Sequence, residues 1–167
     1  MVEQTVFLAS APLECRSGHE VGRTLLAELY QAHVGGEMPD IVCMPRGKPC
    51  FVNSPWHFSI SHTRNRAFCA LSQMNVGIDA EETDRRVNPA LAEKILSPGE
   101  LEQYQAADDP NRALLIFWVL KEAAAKLTGE GLRGYPNQTD FRLDDARITF
   151  RDGCVLAVLT KENEYAV

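Results

Sequence analysis

The residues best suited to chemistry are two acids, Asp79 and Glu81, at the end of a buried strand predicted over 74–82. Alternate side chains of a strand point to opposite faces, so both carboxylates are expected on one face while Ile78 and Ala80 face the core. Neighbouring carboxylates repel unless a positive charge lies between them. A hard cation such as Mg²⁺ supplies that charge, taking one or two protein carboxylates and completing its shell with water and phosphate oxygens. The alternative reading is an acidic, solvated turn.

A second candidate group lies on the strongest predicted helix, from 112 to about 128. Glu122 falls on the same face as Trp118, one turn earlier, and Lys126, one turn later, and it directly follows Lys121. A surface ion pair of Glu122 and Lys126 would contribute only a few tenths of a kcal/mol. An acid that continues an apolar face, however, usually has a paired cation or a metal. The pattern therefore favours a role for Glu122 beside the two strand acids.

Two further segments have the composition of a phosphate or nucleotide site. Residues 47–49, Gly-Lys-Pro, describe a tight and rigid loop whose backbone can approach a flat ring or a phosphate closely. Residues 58–61 alternate apolar and hydroxyl side chains, as in a half-buried strand. His62 and Thr63 follow, and such groups are suited to phosphate. A lone histidine at a strand end is also compatible with a purely structural role.

The remaining patterns predict the elements that must position these residues. Strands are expected over 5–9, 41–44 and 67–72, and helices over 19–33, 90–96, 98–105 and 112–128. Two or three more strands are expected over 140–160, with a hairpin turn at 152–153. A hairpin of the strands at 67–72 and 74–82 would place His62 and Asp79 at the same end of neighbouring strands. The order suggests an α+β fold of two similar halves, 1–74 and 75–167.

Composition limits the function classes. A chain of 167 residues is long enough to bury a sizeable core, and its net charge of −6 argues against a general nucleic-acid binder. The five cysteines form no CxxC pair and, with four histidines, give no zinc spacing. They predict reduced thiols in a cytoplasm. The N-terminus resembles no signal peptide, and the longest apolar run, 113–120, is too short to cross a bilayer. We expect a cytosolic protein.

Four motifs together resemble the Sfp-type 4′-phosphopantetheinyl transferases in order and spacing. They are Gly-Lys-Pro at 47–49, Phe-Ser-Ile-Ser-His-Thr at 58–63, Val-Gly-Ile-Asp-Ala-Glu at 76–81 and Trp-Val-Leu-Lys-Glu-Ala-Ala-Ala-Lys at 118–126. Residues 23–26 also resemble that family's N-terminal coenzyme-binding helix, so the resemblance covers roughly residues 19 to 150. The chain departs from the family with Ser59 where Asn is frequent, and it is shorter before the first helix than many relatives.

The resemblance implies two pseudo-symmetric α/β halves with the substrate between them, in a monomer. It implies Mg²⁺-dependent transfer of the phosphopantetheine arm of coenzyme A to a serine of an apo carrier protein, releasing adenosine 3′,5′-bisphosphate. Asp79, Glu81 and Glu122 would hold Mg²⁺. Glu122, directly or through a metal-bound water, would help remove the serine proton, and Lys126 would neutralise charge on the attacked phosphate. The implied coenzyme contacts are Arg23, Thr24, Gly47, Lys48, Pro49, Ser61, His62, Thr63 and Lys126.

Within that set, residues 47–49 would lie along the adenine and His62 would meet the 3′-phosphate.

Two other functions remain open at this point. A non-catalytic carrier-protein or nucleotide-binding module of the same fold is disfavoured because Asp79, Glu81, Glu122 and Lys126 are all present. A Mg²⁺-dependent phosphohydrolase is disfavoured because the sequence offers no separate base to activate water. The sequence does not indicate which carrier protein is served.

Overall fold

The structure is a computed structural model that describes residues 5–132 and 139–161. Its fold is α+β, as the sequence predicted. In chain order the elements are β1 (Val6–Pro12), α1 (Gly18–His33), β2 (Ile41–Cys43), β3 (Pro49–Phe51), β4 (His57–His62), β5 (Arg66–Ser72), β6 (Asn75–Glu82), a 3₁₀ turn (Pro89–Leu91), α2 (Ala92–Ile95), α3 (Pro98–Gln105), α4 (Pro110–Thr128), β7 (Ile148–Arg151) and β8 (Cys154–Lys161).

Local signals explain where the main helices begin and end. Ser17 and Ser97 cap α1 and α3, and in each case a glutamate three residues later returns a hydrogen bond to the cap backbone. Asp109 caps α4, which begins with Pro110. Gly129 ends α4 in the left-handed conformation, with φ of 73°. Within residues 5–132 and 139–161, no helix has both the length and the hydropathy needed to span a bilayer.

The strands form two antiparallel three-stranded sheets and a small ribbon. The first sheet has the order β1-β5-β4, the second has the order β6-β8-β7, and β2 pairs with β3. The turn predicted at 152–153 does join β7 to β8 in a hairpin. The two sheets meet face to face through apolar residues such as Phe68 on β5 and Ile78 on β6.

The predicted hairpin of β5 with β6 is wrong, because these strands belong to different sheets. β6 pairs with β8 along its whole length, from Asn75 opposite Lys161 to Glu82 opposite Cys154. Its other edge is completed by serine hydroxyls of β4 rather than by a strand ladder. The backbone N–H of Ile78 donates to Ser59 Oγ at 3.0 Å, and that of Ala80 donates to Ser61 Oγ at 3.1 Å. β4, not β5, is therefore the strand beside the acids.

Each sheet carries a helix on its outer face, which gives four layers. α1 covers the first sheet with residues such as Leu26, packed against a cluster that includes Phe58 and Leu71. α4 covers the second sheet with residues such as Phe117 and Val119. Because the side chains of β6 alternate, its apolar residues face the other sheet, and the opposite set, at positions 77, 79 and 81, faces α4.

Candidate active site

The site begins where α4 packs directly on β6, at a residue without a side chain. A Cβ placed on Gly77 would lie 2.2 Å from the carbonyl oxygen of Ala123 and 2.5 Å from the backbone nitrogen of Leu127. Only glycine permits this approach. Asp79 shares this face of the strand, and its carboxylate reaches Lys126 on α4. The alternation predicted from the sequence thus brings the strand acids to the helix that carries Glu122.

Asp79 is the most constrained of the acids. Its side chain is buried, and its Oδ1 accepts hydrogen bonds from Ser61 Oγ at 3.0 Å and from Lys126 Nζ at 2.8 Å. Lys126 Nζ also lies 3.5 Å from the carbonyl oxygen of Ile60. The other carboxylate oxygen, Oδ2, is buried and has no hydrogen-bond partner. A buried anionic oxygen without a partner is costly, so this atom marks a place for a cation or a donor.

Glu81 and Glu122 are half-buried and share the electrostatic field of Asp79. Burial raises the pKa of the Glu122 carboxyl, the charge of Asp79 raises it further, and Lys126 opposes the change. Burial also raises the pKa of Glu81, against the influence of Arg85, which forms an ion pair with it. The negative charge of Asp79 therefore makes ionisation of both Glu81 and Glu122 less favourable, as expected for like charges held together.

The carboxylates of Asp79, Glu81 and Glu122 have the chemistry to bind a hard divalent cation, although two of them already form ion pairs with a lysine and an arginine of the protein. The donor set consists of carboxylate oxygens, the atoms that Mg²⁺ prefers, and Asp79 Oδ2 lacks any partner. In the described part of the chain, no group of three or more His, Cys, Asp or Glu side chains stands ready to hold a metal ion. Asp79 is paired with Lys126 and Glu81 with Arg85. The assignment of Asp79, Glu81 and Glu122 as metal ligands stays a prediction.

A cleft of about 260 Å³ lies between Glu122 and Lys126 of α4 and the Gly-Lys-Pro loop. Its walls combine the loop residues Gly47, Lys48 and Pro49 with Phe58 of β4 and with Glu122 and Lys126 of α4. The loop residues come from the β2–β3 ribbon and the charged residues come from α4. The fold therefore joins, in one concave surface, segments that lie more than 70 residues apart in the sequence.

Of the other predicted coenzyme contacts, Arg23, Thr24 and His62 do not line this cleft. The Arg23 guanidinium lies 5.9 Å from the centre of the Phe58 ring, which forms part of the cleft wall. His62 is exposed and packs against the first residue of α1, Gly18, where a Cβ would lie 2.2 Å from His62 Cγ. Thr24 is exposed, and its hydroxyl donates to a backbone carbonyl of its own helix.

The hydroxyls of Ser61 and Thr63 are buried and contact acids of β6. Ser61 binds Asp79, and Thr63 Oγ1 donates to Glu82 Oε1 at 3.1 Å. The structure thus gives both residues a role in holding the acidic strand. Their proposed support of the coenzyme phosphates stays a prediction, as do the roles assigned to Arg23, Thr24 and His62.

Sequence reasoning missed the partners that hold the site in place. Arg85 pairs with Glu81 and lies 5.8 Å from the ring centre of Trp118. Lys121, which directly precedes Glu122 in the sequence, is buried against Glu100, with Nζ 2.7 Å from Oε2. Glu100 also returns the hydrogen bond to the cap backbone of α3, and its distance from Lys121 in the sequence does not indicate a second partner. Arg85 follows β6, and a spacing of four from a strand residue does not by itself bring two side chains together.

The comparisons with known proteins agree with the geometry. A family model described as the 4′-phosphopantetheinyl transferase superfamily matches residues 75–165. The chain is 31% identical over 140 residues to the 4′-phosphopantetheinyl transferase psf-1 of Bacillus pumilus, covering 77% of this chain and 60% of that protein. It is 30% identical over 129 residues to the 4′-phosphopantetheinyl transferase HetI of Nostoc sp., covering 71% and 54%.

A shorter match extends to a second named group. The chain is 39% identical over 67 residues to the holo-[acyl-carrier-protein] synthase of Erwinia tasmaniensis, covering 36% of this chain and 53% of that protein. The matches to these three relatives therefore span between 53% and 60% of each relative's length. The family model, in contrast, matches more than half of the chain and includes both the acidic strand and α4. The chain therefore belongs to the 4′-phosphopantetheinyl transferase superfamily.

Proposed function

We propose that this protein transfers the 4′-phosphopantetheine arm of coenzyme A to a serine of an apo carrier protein and releases adenosine 3′,5′-bisphosphate. The observation that carries the proposal is the cleft whose walls contain both the Gly-Lys-Pro loop and the pair Glu122 and Lys126. A substrate that is a nucleotide at one end and a reactive diphosphate at the other matches that arrangement. The relatives named as phosphopantetheinyl transferases support the same reaction.

In the proposed reaction, the serine oxygen forms a bond to the phosphorus that bears the pantetheine arm. The bond from that phosphorus to the oxygen shared with the adenosine-side phosphate breaks, and the leaving group keeps that oxygen. Glu122, directly or through a water, takes the serine proton. Lys126, held by Asp79 at 2.8 Å, places a positive charge in the same cleft and offsets charge on the attacked phosphate. Such positioning and neutralisation supply most of what phosphoryl transfer requires.

We further propose Asp79, Glu81 and Glu122 as the residues that hold Mg²⁺. When bound there, Mg²⁺ would neutralise the coenzyme diphosphate and polarise its phosphorus–oxygen bonds. The support comes from the carboxylate donor set and from the buried Asp79 Oδ2, which has no hydrogen-bond partner. Ser61 contributes by fixing Asp79 Oδ1, so that the carboxylate is oriented before any ligand arrives.

The finer architectural expectations belong to the same proposal. We propose that residues 1–74 and 75–167 act as two pseudo-symmetric halves with the coenzyme between them, and that the protein is a cytoplasmic monomer that binds neither nucleic acid nor membranes. The helix-on-sheet packing of α1 and of α4 supports the division into halves. The net charge of −6 supports the exclusion of nucleic acid.

The test is to incubate the protein with coenzyme A, Mg²⁺ and a panel of apo acyl and peptidyl carrier proteins, and to weigh each carrier by mass spectrometry. We expect one carrier at least to gain the mass of phosphopantetheine. The gain should disappear with Asp79→Ala and Glu122→Gln but persist with Glu102→Gln, a matched change at an exposed position of α3. EDTA should also abolish it.

Two results would favour the other functions. Binding of coenzyme A without a mass gain on any carrier would favour a non-catalytic module of the same fold. Cleavage of coenzyme A in the absence of a carrier would favour a phosphohydrolase. Either result would overturn the transferase proposal.

A further inference from the structure

The side chain of Lys48 crosses from the β2–β3 ribbon to the end of α4. Its Nζ donates to the carbonyl oxygen of Leu127 at 2.9 Å and to Asn75 Oδ1 at 2.8 Å. The Asn75 side chain in turn donates from Nδ2 to the same carbonyl at 2.8 Å. Two side chains from separate segments therefore hold one carbonyl oxygen in the last turn of the helix.

The packing around Lys48 is as specific as its hydrogen bonds. A Cβ placed on Gly129, which ends α4 at a φ of 73°, would lie 3.3 Å from Lys48 Cδ. The lysine stem thus occupies the space that a glycine leaves open. Its ammonium sits at the C-terminal end of a 19-residue helix, where the helix dipole favours a positive charge. An ammonium has three N–H donors, and two of them are used by these protein acceptors.

We propose that Lys48 is a positioning residue that clamps the C-terminal turn of α4, and that its ammonium does not serve as a phosphate ligand. The inference rests on the proposed function for its catalytic consequence. Leu127 directly follows Lys126, and Glu122 lies one turn earlier, so the clamp fixes the part of the helix that carries both groups. The loop backbone at 47–49 remains available to the nucleotide. Lys48 therefore connects the nucleotide side of the cleft to the reacting side.

The variant Lys48→Met keeps much of the stem and removes the ammonium. We expect kcat to fall about 10²-fold, because misplacement of reacting groups by about 1 Å has effects of that size. The Kd of adenosine 3′,5′-bisphosphate, measured by calorimetry, should change by less than about threefold, because no hydrogen bond from the ammonium to a nucleotide phosphate is lost. Lys48→Arg should restore part of kcat. Lys94→Met, at an exposed position of α2, serves as the matched control.

Asn75→Ala tests the same clamp from its other side and replaces Lys48→Met if that variant fails to fold. The double variant should be little worse in kcat than Lys48→Met alone, because residues that act as one unit are not additive. A nucleotide Kd raised tenfold or more by Lys48→Met would indicate a direct phosphate contact and overturn the proposal. An unchanged kcat would also overturn it.

Hydrogen exchange separates the clamp from the proposed enzymatic function. The N–H of Gly129 donates to the carbonyl of Ala125 at 2.9 Å, and the amides of this last turn should exchange faster in Lys48→Met than in the wild type. Amides of α1 should not change. This readout needs no substrate, so it tests the clamp even if the wild-type protein transfers nothing to any carrier. Equal exchange in the last turn of α4 would show that Lys48 does not hold it.

Discussion

The contact of α4 with β6 at Gly77 predicts that one added methyl group will damage both stability and activity. In Gly77→Ala, the new Cβ would lie 2.2 Å from the carbonyl oxygen of Ala123, whereas ordinary van der Waals contact begins at 3.4 Å. The neighbouring atoms at 2.2, 2.5 and 2.9 Å all belong to the helix backbone. Because a backbone cannot rotate away as a side chain can, the helix itself must retreat by roughly 1 Å.

That displacement sets the size of both effects. Overpacking typically costs about 1–3 kcal/mol, and a clash with backbone belongs at the upper end, so we expect a loss of about 3 kcal/mol in the free energy of unfolding. For a chain of this length, this corresponds to a fall in Tm of roughly 6–12 °C. The same shift would lengthen the 2.8 Å contact of Lys126 with Asp79. We therefore expect about 10²-fold lower activity at a temperature where the variant is still folded.

Urea unfolding at equilibrium measures the first effect, and the carrier mass assay at 20–25 °C or below, where the folded fraction is known, measures the second. Gly99→Ala is the matched control. The three atoms nearest to its Cβ would all belong to the Asp140 carboxyl group, from 3.2 Å outward, and this end of a side chain can shift by a few tenths of an ångström. We expect it to cost less than about 1 kcal/mol. If Gly77→Ala were as stable and as active as Gly99→Ala, the argument that α4 is fixed against β6 at this point would be refuted.

Two further predictions concern buried groups away from the cleft. Lys121→Met should lower the free energy of unfolding by about 3–5 kcal/mol, because it leaves the fully buried carboxylate of Glu100 without its cation. In urea unfolding, the double variant Lys121→Met with Glu100→Gln should lose less stability than the sum of the two single losses. Strict additivity of the two losses would contradict the pairing. A thiol reagent at pH 8 should modify Cys15 and Cys43, which are exposed, and spare Cys69, because burial raises the pKa of that thiol from 9.0 to about 12. Because the pKa of the Cys69 thiol is higher in the folded protein than in the unfolded chain, the stability that the buried neutral thiol contributes is complete below about pH 9 and is lost as the pH rises toward 12. Rapid labelling of Cys69 in the native protein would contradict the raised pKa.

Much of the candidate site followed from the sequence because its geometry is set by local periodicity. Asp79 and Glu81 share a face because strand side chains alternate, and Glu122 and Lys126 share a face because they are one helical turn apart. The capping residues and the glycine that ends α4 likewise act within a few residues. These features need no knowledge of the rest of the fold.

The misplaced hairpin and the missed contacts have a common physical cause. The turn after β5 is compatible with a hairpin and with a change of sheet, and the outcome is decided by β8, whose Lys161 lies opposite Asn75 from the far end of the chain. In the same way, Lys48 has four rotatable bonds, so its sequence position alone does not reveal that its ammonium reaches Leu127. Long-range pairing of this kind cannot be derived from local patterns.

We propose that carboxylates of β6 and α4 share one divalent cation beside the coenzyme diphosphate. Titration of the protein with Mn²⁺, a paramagnetic substitute for Mg²⁺, in the presence of coenzyme A and followed by electron paramagnetic resonance, measures binding of this cation. We expect the wild type to bind one Mn²⁺ ion tightly, and we expect Asp79→Asn and Glu122→Gln each to weaken that binding by at least about tenfold, a conservative figure for the loss of a ligand. Wild-type affinity in Glu122→Gln would contradict the claim, since the helix would then contribute no ligand.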